Sequence, residues 1–216
     1  MAAAPEDPAL GRHAAAFGGR LAAGNRPALL LIDMVRAYLE PDSALYAGES
    51  AHKAIAVAGR LRAVAAEAGV PVVFTNVRYS QSGVEGGLFY RKLPALAAFV
   101  AGSPLGAFPE ALQPEPGDIV VTKHYASAFF GTSLASTLNA LGVDTAVIGG
   151  FSTSGCVRAS TLDALQHGFA PYVVREACAD RAPGPHEANL SDLQLKYGEI
   201  VSEAAATALL RGVSMR

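Results

Sequence analysis

The sequence predicts an α/β fold: a doubly wound, Rossmann-like domain with a mostly parallel, six-stranded sheet and helices on both faces. Short apolar runs rich in β-branched residues alternate with longer segments whose apolar residues recur every three or four positions, and short loops join them. Hydrophobic residues make up 51% of the chain and charged residues only 17%, a balance that suits a sheet buried on both faces. With 216 residues, the chain is long enough for one domain with a full core.

The amino-terminal residues predict an arm followed by the domain itself. Residues 1–24 are rich in Ala, Gly and Pro and show no period, so we expect an arm that lies on the body or on a neighbouring subunit. We expect the domain to span residues 25–216. Its first strand is the apolar run 27–33, which ends in Asp33. Open parallel sheets bind their ligands at the carboxyl ends of such strands.

The remaining elements follow from the same two patterns in chain order. After a loop at 34–49, a helix is predicted at 50–68, with Ser50 as its N-cap and Gly69 as its stop. A long excursion after the second strand is of the kind that usually carries function. The further predicted strands are 70–76, 118–123, 145–149, 170–175 and 199–202. The further predicted helices are 94–100, 133–141, 156–167, 186–197 and 204–211, with a loop at 177–185.

Composition and charge exclude several classes of function. The formal net charge of −2 leaves no electrostatic footprint for nucleic acid. No apolar run approaches the roughly 20 residues that span a bilayer, and the first residues do not resemble a secretion signal. The glycine patterns that cradle phosphates are missing. We expect a cytoplasmic protein, in which Cys156 and Cys178 are free thiols and Cys178 is a buried small hydrophobe.

The stretch 149–158 carries the clearest chemical signal. A loop of small residues joins the 145–149 strand to the 156–167 helix and puts Cys156 in the first helical turn. The start of a helix has partial positive charge and free N–H donors. A thiol loses its proton most easily there, and an oxyanion that develops during a reaction finds donors there.

Three predicted strands end in reactive groups, at Asp33, at Lys123 and at the loop before Cys156. Each group alone is common at a strand end, but in a parallel sheet all three share one edge. Cys156 could then attack a carbonyl while Asp33 accepts the thiol proton and later passes it to a leaving amine. Lys123 would favour both the thiolate and the carboxylate, and backbone N–H groups around Ser152 and Cys156 would hold the oxyanion.

The sequence resembles the cysteine hydrolases of the isochorismatase-like superfamily from about residue 18 onward. The matching pieces are ALLLIDM with Asp33, TKHYASAFFGTSL with Lys123 and GGFSTSGCVRASTLDALQHGF with Cys156. Within the superfamily, the pattern STSGCVRAS…DALQHGF…VVREA…DR…PHEANL resembles the N-carbamoylsarcosine amidases and the related maleamate amidohydrolases. The resemblance implies Cys156 as nucleophile, Asp33 as base and Lys123 as its partner. It also implies a cis peptide bond before Ser152, whose N–H then joins the oxyanion hole.

Departures from other branches of the superfamily narrow the chemistry. Isochorismatases proper lack this cysteine, which disfavours hydrolysis of an ether. Nicotinamidases carry an Asp/His metal site after the first strand, whereas here residues 34–38 read MVRAY. The five histidines show no ligand spacing. We therefore predict no metal and no cofactor.

The resemblance also implies a carboxylate-binding arginine at Arg181. A guanidinium fork suits a planar carboxylate, although a surface salt bridge with Asp180 or Glu187 explains the residue equally well. We predict further substrate contacts from Asn76, Tyr38 and Phe129. His186 is predicted to be a residue of the helix start rather than a catalyst.

These observations predict a metal-free amidohydrolase that cleaves a small linear amide or ureido compound bearing a carboxylate, releasing ammonia through a thioester. N-carbamoylsarcosine is the first substrate we expect, and maleamate is the second. Two alternatives from other classes stay open: a non-catalytic ligand-binding protein, and a thiol redox protein in which Cys178 resolves an oxidised Cys156. The resemblance and the apolar composition predict a homo-oligomer, a dimer or tetramer.

Overall fold

The structure, a computed structural model, describes residues 16–17 and 19–212. Six parallel strands form one sheet in the order β3-β2-β1-β4-β5-β6, which confirms the predicted fold class. The strands are β1 Pro27–Ile32, β2 Val72–Val77, β3 Ile119–Lys123, β4 Thr145–Phe151, β5 Ala170–Ala179 and β6 Glu199–Val201. Most of the predicted arm at 1–24 lies outside the described residues.

Helices cover both faces of this sheet. They are α1 Glu49–Glu67, α2 Gly87–Lys92, α3 Leu134–Ala140, α4 Arg158–Gln166, α5 Pro183–Lys196 and α6 Glu203–Leu210. Short 3₁₀ turns occupy Arg36–Tyr38, Val84–Gly86, Pro94–Phe99 and Pro104–Gly106. The apolar faces of α1 and α6 pack on one side of the sheet with Leu29 and Leu31. Helices α3, α4 and α5 pack on the other side with Leu30 and Ile32, so alternate residues of β1 serve two cores.

At two helix starts the structure differs from the prediction, and local backbone chemistry explains both differences. Gly48, not Ser50, is the N-cap of α1 because it adopts φ 71°, a conformation that glycine reaches without a Cβ penalty. Ser50 lies inside the helix and its hydroxyl donates to the carbonyl of Ala47 at 2.8 Å. Helix α5 begins at Pro183 rather than His186, since a proline fits the first helical position, where no N–H is needed.

The last part of β5 is also longer than the sequence predicts. The predicted strand ends at residue 175, but pairing with β4 continues through Gly150↔Cys178 and Phe151↔Ala179 after a register shift. This extension turns the predicted loop residues 177–179 into strand and carries the chain directly to Asp180. The site is therefore bounded by β5 as well as by β1, β3 and β4.

None of the helices within the described ranges is long and apolar enough to cross a membrane. Among the described residues, the three most exposed large apolar side chains are Val84 and Leu88 at 75% each and Phe130 at 59%. Exposed apolar residues of this size are often covered by a second subunit. The dimer or tetramer and the cytoplasmic location both remain predictions.

Candidate active site

Asp33 follows the last residue of β1 and is wholly buried. Its backbone has φ 50°, a left-handed conformation that Asp tolerates better than most residues. Thr75 on the adjacent strand fixes it twice: the Asp33 N–H donates to the Thr75 hydroxyl at 3.0 Å, and that hydroxyl donates to Oδ1 at 2.7 Å. Sequence reasoning missed Thr75, although a threonine inside an otherwise apolar strand was a visible signal.

Lys123, the last residue of β3, points its ammonium group into the same enclosure and is 0% exposed. Its Nζ lies 2.7 Å from Asp33 Oδ2, donates to the Tyr125 carbonyl at 2.8 Å and to Cys156 Sγ at 3.5 Å. Burial lowers the pKa of Lys123, but the charges of Asp33 and Cys156 outweigh that effect and leave its pKa raised. The side chain is therefore an ammonium ion that contacts both other groups.

The thiol of Cys156 does not have the low pKa expected at a helix start. The pKa of Cys156 is raised to about 12: burial has the largest effect and raises it, Lys123 lowers it, and Asp33 raises it. Residues Thr153–Val157 form a π-helical turn, and α4 begins only at Arg158, so the thiol is not exposed at the end of a regular helix. In the free protein at neutral pH the thiol is therefore uncharged.

One carboxylate oxygen of Asp33, Oδ2, is able to accept a proton. Oδ2 is fully enclosed and lies 2.7 Å from Lys123 Nζ, and no other group among the described residues donates a hydrogen bond to it. A carboxylate oxygen with a free lone pair beside a neutral thiol is suited to accept the thiol proton.

The turn that carries Cys156 needs small residues. Gly150 has φ 149°, and a Cβ there would overlap the carbonyl oxygen of Ile32. A Cβ at Gly155 would lie 2.7 Å from the Ser152 hydroxyl oxygen. The peptide bond between Phe151 and Ser152 is cis, as the resemblance implies. These positions explain why the stretch is rich in glycine.

Asp180 was not predicted as a site residue, yet it holds this turn. Its carboxylate is 0% exposed, and Oδ2 accepts the backbone N–H of Ser154 at 2.6 Å. Oδ1 accepts the backbone N–H of Arg181 at 2.9 Å and its Nη1 at 3.1 Å. Nη1 also donates to the Ser154 hydroxyl at 3.1 Å. Arg181 thus lies beside the turn that carries Cys156. Of the two salt-bridge partners that the sequence suggested, Asp180 and Glu187, it pairs with Asp180.

His186 lies in the first turn of α5, where it braces the same turn from the other side. Its Nδ1 lies 2.8 Å from the hydroxyl of Thr153, which also donates to the Ala179 carbonyl at 3.2 Å. Burial lowers the pKa of His186. The contact ties α5 to the π-helical turn.

Tyr38 is the predicted substrate contact that the structure brings near the reactive groups. Its ring packs on Phe151 with centroids 5.2 Å apart, and the residue is 7% exposed. Burial raises the pKa of Tyr38, and the charges of Cys156 and Asp33 add to the effect.

Asn76 lies on the opposite side of the sheet from Lys123, and Phe129 packs in a core cluster that also contains Cys156. Asn76 precedes Val77, the register partner of Lys123, so its side chain lies on the opposite sheet face, where it accepts from the Thr122 hydroxyl at 2.8 Å. Phe129 is 3% exposed and stacks on His167 and Phe169 beyond the end of α4. The contact of Asn76 with Thr122 and the packing of Phe129 are what the structure shows, and substrate contacts from these two residues stay predictions.

Both cysteines are free in the structure. Cys178 is buried, and its burial raises its pKa to about 12. It lies in β5 beside Gly150, which agrees with a packed small hydrophobe. Across the described part of the chain, no group of three or more His, Cys, Asp or Glu side chains is arranged to hold a metal ion.

Two cavities of the structure are candidates for a substrate pocket. One of about 230 Å³ lies against Asp180 and Arg181 and is lined also by Ala47, Ser50, Cys178, Ala179, Ala182, Pro183 and His186. A larger one of about 720 Å³ lies beneath residues 20–25, beside the first residues of β1, β5 and β6. The larger cavity is at the amino-terminal edge of the strands. The smaller one adjoins Arg181, and the linings of both lack Asp33, Lys123 and Cys156.

The chain is similar to a known protein family and to several of its characterised members. The isochorismatase domain model matches residues 27–205. A maleamate amidohydrolase from Pseudomonas putida is 48% identical over 196 residues, which are 90% of this chain and 92% of that protein. An N-carbamoylsarcosine amidase from Arthrobacter is 34% identical over 191 residues, 86% of this chain and 72% of that protein.

A solved structure agrees with the fold. The cysteine hydrolase from Pseudomonas syringae superimposes with a TM-score of 0.83, covering 90% of this chain and 99% of that one. The two sequences are 22% identical, so the match concerns the arrangement of strands and helices alone.

Proposed function

The chain belongs to the isochorismatase family and is an amidohydrolase, and we propose that it hydrolyses a small amide bearing a carboxylate, with Cys156 as nucleophile. The observation that carries the proposal is the position of Lys123 Nζ, 2.7 Å from Asp33 Oδ2 and 3.5 Å from Cys156 Sγ. A buried ammonium ion in contact with both a carboxylate and a thiol supports formation of a thiolate during the reaction.

Maleamate becomes the first substrate to test, ahead of N-carbamoylsarcosine. The maleamate amidohydrolase shares 48% of residues over nearly its whole length, whereas the N-carbamoylsarcosine amidase shares 34%. Both compounds named in these relatives carry a C–N bond to a carbonyl and a carboxylate within a few atoms. The reversed order reflects the degree of similarity, and N-carbamoylsarcosine remains the second candidate.

The first half of the reaction forms a thioester. Asp33 takes the proton of the neutral Cys156 thiol as Sγ attacks the amide carbonyl carbon. Lys123 stabilises the charge on sulfur while the proton leaves. The resulting oxyanion is held by the backbone N–H groups of Ser152 and Cys156. When the tetrahedral species collapses, Asp33 returns the proton to the amide nitrogen, and ammonia leaves.

The second half releases the acid. Asp33, again a carboxylate, takes a proton from a water molecule as the water oxygen attacks the thioester carbonyl. The C–S bond breaks, and the Cys156 sulfur recovers the proton from Asp33. The net change is one amide and one water converted to one carboxylate and one ammonium ion. Lys123 remains charged throughout.

Arg181 is proposed to bind the substrate carboxylate. Its side chain is 66% exposed beside the Cys156 turn, and the guanidinium has donors beyond the Nη1 that Asp180 and Ser154 engage. The adjoining 230 Å³ cavity is of a size for a small acid rather than a large substrate.

Ammonia release from a matched panel tests this function. The panel contains maleamate, N-carbamoylsarcosine and two neutral controls, the methyl ester of maleamate and nicotinamide. We expect maleamate to give the highest kcat/KM and its methyl ester to give a value lower by roughly 10²-fold, because the ester cannot pair with a guanidinium. If neither acid releases ammonia, or if ester and acid react equally, the proposed substrate class is wrong.

A further inference from the structure

The carboxylate of Asp180 has no role in the proposed proton transfers, although it is wholly buried beside them. A buried charge is costly unless hydrogen bonds and a counter-charge compensate it. Here its two oxygens receive donors from different parts of the molecule. The carboxylate of Asp180 therefore connects two parts of the site.

One part is the turn that carries the nucleophile. Asp180 Oδ2 accepts the Ser154 N–H at 2.6 Å, a short hydrogen bond of the charge-assisted kind. Ser154 lies within the π-helical turn Thr153–Val157, two residues before Cys156. If this carboxylate moved, its hydrogen bond to the Ser154 N–H would move the turn with it.

The other part is the guanidinium of Arg181. Asp180 Oδ1 holds both its backbone N–H and its Nη1, and the Ser154 hydroxyl accepts from the same Nη1 at 3.1 Å. The side chain is nevertheless 66% exposed. An exposed arginine normally samples many rotamers, so two acceptors on one nitrogen fix the direction of the rest of the group before any ligand binds.

A simple surface ion pair would look different. In such a pair both side chains are solvated, as in the pair of Arg175 and Glu187, whose side chains are 46% and 58% exposed. In the Asp180–Arg181 pair the carboxylate is enclosed and also holds the backbone of the nucleophile turn, while only the arginine meets solvent. This asymmetry fits a carboxylate that orients an arginine for another anion.

We propose that Asp180 is a positioning residue that fixes the Arg181 guanidinium relative to the Cys156 thiol and so selects substrates whose carboxylate lies at a set distance from the amide. The inference rests on the proposed function, in which Arg181 binds that carboxylate. Ser154 takes part through its hydroxyl, which holds the same guanidinium nitrogen. Asp180 itself does not touch the substrate or the reacting atoms.

The test measures binding of an anion without requiring turnover. Cys156 is alkylated with the neutral reagent iodoacetamide, its modification is followed by peptide mass spectrometry, and increasing maleate is added as protector. The concentration of maleate that halves the alkylation rate is determined for the wild type, Asp180→Asn, Ser154→Ala and Arg181→Ala. Arg175→Ala is the matched control, because it removes one exposed positive charge whose partner lies elsewhere.

Asp180→Asn is expected to raise the half-protecting concentration roughly tenfold and Ser154→Ala roughly threefold, whereas Arg175→Ala leaves it within twofold. Ser154→Ala keeps the backbone N–H that donates to Asp180 and removes only the hydroxyl that holds the Arg181 guanidinium. It therefore still tests the orientation of Arg181 if Asp180→Asn unfolds the protein. The proposal is overturned if Arg181→Ala raises the concentration while Asp180→Asn, when folded, and Ser154→Ala both leave it unchanged. If Arg181→Ala has no effect either, the carboxylate clamp of the proposed function fails, and this inference fails with it.

Discussion

Lys123 Nζ lies 2.7 Å from Asp33 Oδ2 in an enclosure where the lysine side chain is 0% and the aspartate side chain 1% exposed. Neither charge can be solvated by water if the other is removed. The pair is therefore a structural unit as well as the centre of the proposed chemistry, and its substitutions should affect both stability and rate.

Lys123→Met removes the ammonium ion and leaves the Asp33 carboxylate buried without a counter-charge. We expect the free energy of unfolding to fall by about 3–5 kcal/mol, the usual consequence of breaking a buried pair, together with loss of ammonia release. Urea denaturation gives the first quantity. Arg36→Met is the control, because Arg36 and Glu40 form an exposed pair on one turn, and its loss should change stability by less than about 1 kcal/mol. Equal effects of the two substitutions would contradict the buried pair.

Thr75→Val keeps the shape of a side chain that holds Asp33 by two hydrogen bonds. The substitution leaves the Asp33 N–H and Oδ1 without that partner, which should cost about 1–3 kcal/mol of stability and lower kcat roughly tenfold through misplacement of the base. Thr122→Val is the matched control, since Thr122 is exposed and its hydroxyl bonds only Asn76 in the described structure. Comparable losses from both valines would show that Thr75 has no special role.

The high pKa of Cys156 predicts a pH dependence for its reactivity in the free enzyme. Its folded pKa is about 12, above that of an ordinary thiol, so the thiolate fraction should rise tenfold per pH unit throughout the range from about pH 7 to about pH 10. Alkylation by iodoacetamide should follow this slope without an inflection. The same peptide in urea should show an inflection at about pH 8.5. A plateau near neutral pH in the folded protein would mean a preformed thiolate.

The same shifts affect stability at high pH. Cys156 and Cys178 both have folded pKa values of about 12, above the unfolded value of about 8.5. Groups with a raised folded pKa contribute stability that is fully present below the unfolded pKa and is lost as pH rises toward the folded pKa. We expect the free energy of unfolding, measured with urea in reductant, to decline from about pH 8.5 upward. Cys178→Ala should make that decline less steep; an unchanged slope would contradict the shift at Cys178.

Tyr38→Phe separates a substrate contact from a packing role. Within residues 16–17 and 19–212, the Tyr38 hydroxyl has no hydrogen-bond partner, whereas that of Tyr79 donates to the His124 carbonyl at 2.7 Å. Tyr38→Phe should therefore leave stability unchanged within about 0.5 kcal/mol while raising KM for maleamate several-fold, roughly fivefold. Tyr79→Phe should lose about 1 kcal/mol of stability. If Tyr38→Phe changes only stability, Tyr38 is a packing residue.

The parts of the site that follow strand ends could be predicted from the sequence. Asp33 and Lys123 end apolar runs, and Cys156 follows one, so parallel strands alone bring the three groups to one edge. The predicted order of the six strands was likewise correct, because hydrophobic period and glycine position are local properties. The helix Gly87–Lys92 was not predicted, and the predicted helix at 94–100 is a 3₁₀ turn, Pro94–Phe99.

The features of the site that the sequence did not predict depend on contacts between elements that are far apart in the chain. Asn76 and Phe129 are polar and aromatic residues near strand ends, but sequence does not fix which sheet face or core they join. Asp180 was named only as a partner for Arg181, because its bond to the Ser154 N–H requires the extended β5 beside β4. The pKa of Cys156 was placed too low because its burial, a tertiary property, outweighs the proximity of Lys123.

The most direct test of the account compares its two cysteines as nucleophiles. Ammonia release from maleamate is measured for the wild type, Cys156→Ala and Cys178→Ala, each with its circular dichroism spectrum as evidence of folding. The account predicts that Cys156→Ala loses at least about 10³-fold in kcat. Cys178→Ala should stay within about threefold of wild type, because Cys178 contributes only a small apolar surface to the cavity wall, which alanine keeps. Retained activity in a folded Cys156→Ala protein, or equal loss in both variants, would contradict the central claim.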